Sequence, residues 1–163
     1  MTLPLPEKHA RLKDTLSKLP LFNALSTETQ AAFLTAATLQ HFEAGQVIYI
    51  EGEPANYVYI LERGWVKSTR MTHEGREQGL LFLRPVEIFG DIAVFTEKPY
   101  PGTVTALEKV HAWAVSARQM LMLVNEHPDL ALAVIRRLSE RVLHYVGLVE
   151  DLSLRSVEAR LAH

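Results

Sequence analysis

Hydrophobic positions change their spacing twice along this 163-residue chain. Near the N-terminus Leu5, Leu12, Leu16 and Leu19 fall on one helical face, and Pro20 ends that stripe because its ring cannot continue a helix. Ser26 is placed to cap a second helix over TETQAAFLTAAT. From Leu39 to about Val115 the runs shorten and fill with β-branched and aromatic residues: LQHFE, QVIYI, YVYILE, WVKSTRM, QGLLFL, TVTALE and VHAWAV. EAGQ, EGEPAN, ERGW, HEGRE and KPYPG separate them, each with a Gly or Pro where the chain must turn, and HEGR reads as a plain hairpin. Short strands with such punctuation predict an antiparallel sandwich, roll or barrel whose inner face can line a cavity.

The spacing turns helical again after Ser116, which can cap ARQMLMLVNEH, and Pro128 suits the first position of a longer helix. On that helix Ala131, Ile135, Leu138, Val142, Tyr145, Val149 and Leu152 step alternately by four and three, the seam of a self-pairing helix. The other reading is a helix wholly buried on its own domain. A second apolar edge through Leu130, Val134 and Leu148 suits packing on the β zone. SLRSVEARLAH reads as a further helix capped by Ser156, whose Leu154, Val157 and Leu161 call for a following domain to cover them. The chain thus divides into a helical segment (1–38), a β-roll (39–115), helices that include the pairing helix (116–152) and the start of a truncated domain (153–163). The fold class is α+β.

Composition narrows the function. A formal charge of −2 gives no overall attraction to nucleic acid or anionic membranes. The chain has no cysteine, hence no disulfide, thiolate metal site or cysteine nucleophile. Without an apolar leader or a spanning run, a soluble cytoplasmic protein is expected, with no membrane partner. No Ser/His/Asp order, paired-carboxylate site or phosphate loop stands out, so no catalytic residue is assigned and an enzyme is not expected. A cupin-like metal enzyme would need His and Glu clustered on adjacent strands. The seven histidines (His9, His41, His73, His111, His127, His144, His163) form no tight ligand pair, so no metal site is assigned. His9, His127 and His163 read as solvent-facing, whereas His144 lies beside the seam and could approach a cavity. RRLSER (Arg136 to Arg141) reads as a solvated helix face because Glu140 and the helical spacing disperse its charge.

One stretch carries a resemblance. FEAGQVIYIEGEPANYVYILERGWVK, then HEGRE, IFGDIAVF and the terminal LSLRSVEARLA follow in order, preceded by LPLFNALS. Together they resemble the cyclic-nucleotide-binding domain of Crp/Fnr-type bacterial transcription regulators, over essentially the whole chain. The resemblance implies a jelly-roll sensor, a long dimerisation helix, a homodimer, and DNA bound through a C-terminal helix-turn-helix domain that would begin near RSVEARLA. The dimer contacts it implies are Ile135, Leu138, Val142, Tyr145, Val149 and Leu152.

It also implies a ligand site at Phe89, Gly90, Asp91, Ile92, Ala93, Tyr100, Pro101, Gly102, Thr103 and Tyr145. In nucleotide-binding members of that family, helix N–H groups and an Arg hold the cyclic phosphate, a Ser or Thr follows, and an acid takes the ribose hydroxyl. Here Asp91 stands at the acid position, while the Arg and Ser positions fall on Tyr100 and Pro101. Tyr100 brings no positive charge, and Pro101 has neither hydroxyl nor N–H. The hydroxyl pair that contacts the purine falls on Tyr145 and Val146. A buried phosphate would lack its countercharge, so cyclic AMP is not expected to bind tightly. Lys98 or Arg84 swinging in is the competing possibility. Phe89, Val94 and Phe95 read as filling of the roll; Gly90, Asp91, Tyr100 and Tyr145 read equally as structure or as ligand contacts. VYI, LLFL, Tyr100 and the long helix would line what cavity remains, suiting an apolar or planar effector of unknown identity. Haem-based gas sensing, known in that family, and a ligand-free interaction domain stay open as alternatives.

Overall fold

The computed structural model describes residues 3–162. Three helices lead in: α1 (Leu5–Ser17), α2 (Pro20–Asn23) and α3 (Thr27–Ala36). Pro20 begins α2, since proline's missing N–H is no loss at a first helical position. Ser26 caps α3 as its sequence position suggests, its Oγ accepting from the Thr29 N–H at 3.2 Å.

The β zone holds β1 (Thr38–Phe42), β2 (Val47–Tyr49), β3 (Tyr57–Arg63), β4 (Val66–Met71), β5 (Glu77–Leu83), β6 (Ile88–Phe89), β7 (Thr103–Ala106) and β8 (Val110–Ser116), with α4 (Asp91–Thr96) between β6 and β7. They form two four-stranded antiparallel sheets, ordered β1-β8-β3-β6 and β2-β7-β4-β5. Two elements have no counterpart in the expected pattern: β6 is two residues and α4 is six, too short to show a period. Side chains alternate across β3, so Tyr59 and Leu61 enter the roll while Val58 and Ile60 face outward. Both faces are covered, which is why YVYIL reads as an unbroken apolar run. Inside the roll Phe42, Leu61, Val66, Phe89, Val104 and Val110 are buried. A second core lies outside the first sheet, where Trp113 and Val115 meet Leu12, Leu16, Phe22 and Phe33 of the leading helices and Met120 and Leu130 beyond the roll.

One half-buried carboxylate fastens α1 to that sheet. Glu62 accepts from Arg11 Nε (3.0 Å) and Nη2 (2.6 Å), from Thr15 Oγ1 (2.9 Å) and from Trp113 Nε1 (3.1 Å). Arg11 Nη2 also donates to His111 Nδ1 at 2.9 Å, and the His111 ring stacks on its cross-strand neighbour His41 with centroids 4.3 Å apart. Burial pushes the Glu62 carboxyl up, but the hydrogen bonds from Arg11, Thr15 and Trp113 outweigh it and hold it below its ordinary value.

After the roll come α5 (Ala117–Glu126), capped by Ser116, and α6 (Pro128–Leu161). α6 is one helix of 34 residues, so the separate helix expected from Ser156 does not exist. No Gly or Pro lies between residues 148 and 162 to break it. Leu130 is buried and Val134 half-buried against the second core, as expected of that edge, but Leu148 is exposed because α6 has by then left the roll. Among the described residues no helix is long and apolar enough to cross a membrane.

Asp129, in the first turn of α6, accepts from the Ser26 N–H (2.9 Å), Thr29 Oγ1 (2.8 Å) and the Leu130 N–H (3.0 Å). These bonds, that from Ser26 foremost, lower its carboxyl from 3.8 to about 2. A depressed carboxyl stabilises the fold at pH above its unfolded value, and that contribution is lost as pH falls through the folded value. Asp129→Asn should therefore melt lower than the parent at neutral pH, and the difference should shrink between pH 3.8 and about 2; thermal melts across that range check it.

Candidate functional site

Gly90 links β6 to α4 with φ at +81°, and a Cβ there would stand 2.9 Å from the Tyr57 carbonyl oxygen. Glycine is needed on both counts. Phe89 before it is buried in the roll, and Asp91 after it is buried at the start of α4. The following loop crosses the segment after β2, with the Gly52 N–H donating to the Tyr100 carbonyl (2.9 Å) and the Tyr100 N–H to the Glu53 carbonyl (3.0 Å). This crossing sends the Tyr100 side chain inward, where it is 4% exposed. Its hydroxyl donates to the Tyr57 carbonyl at 2.7 Å and accepts from the Tyr57 N–H at 3.0 Å. Its ring stacks on Tyr49, centroids 3.7 Å apart and planes within 10°. Tyr49 continues to Tyr59 and Phe89, at 6.1 and 6.2 Å. Tyr100 is thus a buried, uncharged ring whose hydroxyl has both its contacts taken by Tyr57.

Burial in this aromatic cluster disfavours charge. Burial raises the phenols of Tyr49, Tyr59 and Tyr100, and the negative charge of Asp91 acts on Tyr49 in the same direction. The side chains of Lys98 and Arg84 are exposed, and Lys98 lines an open groove with Glu97 and Pro99. Asp91 is turned to α6. Arg137 Nη1 stands 2.5 Å and Arg141 Nη1 3.4 Å from its Oδ2, and Arg137 Nη2 donates to the Ile88 carbonyl at 3.3 Å. RRLSER is thus no uniformly solvated face. Arg136 and Glu140 are exposed, but Arg137 and Arg141 are half-buried on the roll. Their spacing of four was the available signal, since it sets them one helical turn apart on the side of Leu130 and Val134.

The remaining predicted site residues scatter. Ile92 and Pro101 are exposed, and Ala93 is buried within α4. Gly102 packs so tightly on β4 that a Cβ would meet the Thr69 carbonyl at 2.8 Å. Thr103 Oγ1 accepts from the Glu51 N–H at 3.0 Å. Tyr145 is half exposed on α6, its ring centroid 5.9 Å from that of the exposed His144. Of the segments expected to line a cavity, Tyr59 does face inward, but Val58 and Ile60 face the outer core and Leu81 and Phe82 are exposed. His9 and His127 are half-buried rather than solvent-facing, His127 Nδ1 lying 3.2 Å from Thr29 Oγ1; His163 lies outside the described residues. No group of three or more His, Asp or Glu among the described residues could hold a metal ion.

Tyr100→Phe removes both hydroxyl contacts while keeping the stack. It should cost about 1–3 kcal/mol, because the Tyr57 N–H and carbonyl lose their partner; urea unfolding measures it.

Residues 39–127 match the family model of the cyclic nucleotide-binding domain. The chain is 24% identical over 151 residues to a CRP-like cAMP-activated global transcriptional regulator of Mycobacterium tuberculosis, covering 93% of this chain and 67% of that one. It is 31% identical over 127 residues to a global nitrogen regulator of Synechococcus elongatus, covering 76% of this chain and 56% of that protein. Its fold superposes on the sensor domain of the transcriptional regulator DNR from Pseudomonas aeruginosa with a TM-score of 0.74 at 27% identity, covering 86% of this chain and 95% of that one. The chain belongs to the cyclic nucleotide-binding domain family, in the branch that forms the sensor domains of Crp/Fnr-type transcription regulators.

Proposed function

We propose that this chain is the sensing and dimerising part of a cytoplasmic transcription regulator whose effector is not a cyclic nucleotide. The observation that carries the second half is the Tyr100–Tyr49 stack, which sets an uncharged ring where a phosphate would need a cation. A nucleotide would have to displace that ring and break both Tyr57 bonds without regaining a countercharge.

The first half rests on α6. Ile135, Val142, Tyr145, Val149 and Leu152 are each half or more exposed along the expected seam, with Leu138 half-buried among them. So long an apolar stripe suits a second copy of the same helix. Leu154, Val157 and Leu161 are exposed on a different side, roughly 120° round the helix from the seam. Two stripes at that angle serve two partners: the seam a twin helix, the later stripe a DNA-binding domain beyond residue 163. An effector acts by favouring one arrangement of the paired helices over another, and so one placement of those domains on DNA. Thermal melts with millimolar cyclic AMP and cyclic GMP test the effector reading, since a ligand of the native state raises the melting temperature. No shift is expected with either; a shift of several degrees would refute it.

A further inference from the structure

Between the outer face of β3, the leading helices and α6 lies an apolar cleft walled by Leu16, Phe22, Ile60, Met120 and Val134 and lined also by Arg137 and Asp91. Its cavity volume is about 40 Å³. This space lies in the outer core, apart from the roll interior. The charges around Asp91 do not balance. Arg137 and Arg141 share the single carboxylate of Asp91, and among the described residues no other acid lies within 4.0 Å of either guanidinium. A half-buried excess of one positive charge beside an apolar hollow is complementary to a small anion with an apolar tail.

We propose that this cleft binds a small amphiphilic monocarboxylate, its tail among Ile60, Met120 and Val134 and its carboxylate on Arg137 and Arg141. The ligand carboxylate competes with Asp91 for the same guanidinium groups. The enclosed volume limits the tail to a short chain or single small group. Both arginines stand on the helix that bears the seam, so an exchange of carboxylate partners changes what holds α6 to the roll. That consequence rests on the sensor reading above; the binding itself does not.

Methyl-resolved NMR of the protein titrated with sodium valerate tests it, with 1-pentanol and pentylammonium as matched probes. The Ile60 and Met120 methyls should shift saturably with valerate, in roughly the millimolar range for so small a ligand. Pentanol should bind at least tenfold more weakly, and pentylammonium should not bind. Asp91→Asn should tighten valerate severalfold by removing its competitor, and Arg137→Gln should weaken it at least fivefold while leaving pentanol unchanged. Val134→Phe, which fills the hollow and keeps the ion pair, should abolish both shifts. Absence of saturable valerate shifts, equal binding of valerate and pentanol, or unchanged affinity in Asp91→Asn would each overturn the site. Because the readout needs neither DNA nor dimer, failure of the regulator reading would leave these shifts in place.

Discussion

Glu62→Ala should lower the stability of the chain by about 2–4 kcal/mol and its melting temperature by roughly 5–15 °C. The carboxylate removed is the common acceptor of Arg11, Thr15 and Trp113. Trp113 is fully buried and its Nε1 would keep no partner, while Arg11 is partly exposed and can recover water, which holds the cost below that of a wholly buried pair. The loss should be local first. α1 leans on the sheet through this contact and through Leu12 and Leu16, so its amides should exchange faster than those of β3 and β8. Acidification should reach the same contact without mutation. The Glu62 carboxyl is held below its ordinary 4.5, so it stabilises the fold above that pH and ceases to as pH falls through its lowered value. His111 adds in the same direction. Burial, then His41 and Arg11, lower it from 6.5, and its Nδ1 must stay unprotonated to accept from Arg11. Hydrogen exchange and thermal melts of the parent and of Glu62→Ala measure both effects.

A charge placed in the seam should separate the proposed dimer. Val142→Glu or Val149→Glu would set two like charges facing each other across a symmetric pair of helices, in place of apolar side chains now 60% and 62% exposed. Association should weaken by at least a hundredfold, roughly, the effect of a few kcal/mol at an interface. Neither residue contacts the roll core, so the melting of the monomer should change little. Sedimentation equilibrium reads the outcome: parent dimer and variant monomer are expected, and a variant still dimeric would move the interface elsewhere. Leu154→Glu is the matched control, because its stripe lies on another side of α6 and should leave the dimer intact.

Much of this architecture is legible in the residues. Short β-branched and aromatic runs bounded by Gly and Pro mark seven of the eight strands to within about two residues, because strand propensity and turn chemistry are local properties. The caps at Ser26 and Ser116 and the start at Pro128 are local in the same way. What escapes is tertiary. The partners of Asp91 lie 46 and 50 residues away, and nothing near Asp91 points to α6. The absence of an Arg at residue 100 can be read directly; that the Tyr100 ring would fold inward onto Tyr49 cannot, because it depends on two loops crossing in space. Glu62 follows the run YVYIL in β3, and only the arrival of α1 explains its half-buried place. Ser156 looks like a cap by residue type, but with helix formers on both sides and no breaker the helix runs through it.

The proposal that no cyclic nucleotide binds turns on Tyr100, an uncharged ring stacked on Tyr49 at the position that the family resemblance gives to the phosphate-binding arginine. Isothermal titration of the purified chain with cyclic AMP tests it most directly. The expected isotherm is flat beyond the heat of dilution up to millimolar nucleotide; a saturable isotherm with a micromolar dissociation constant would mean that Tyr100 yields its place and that the charge argument fails.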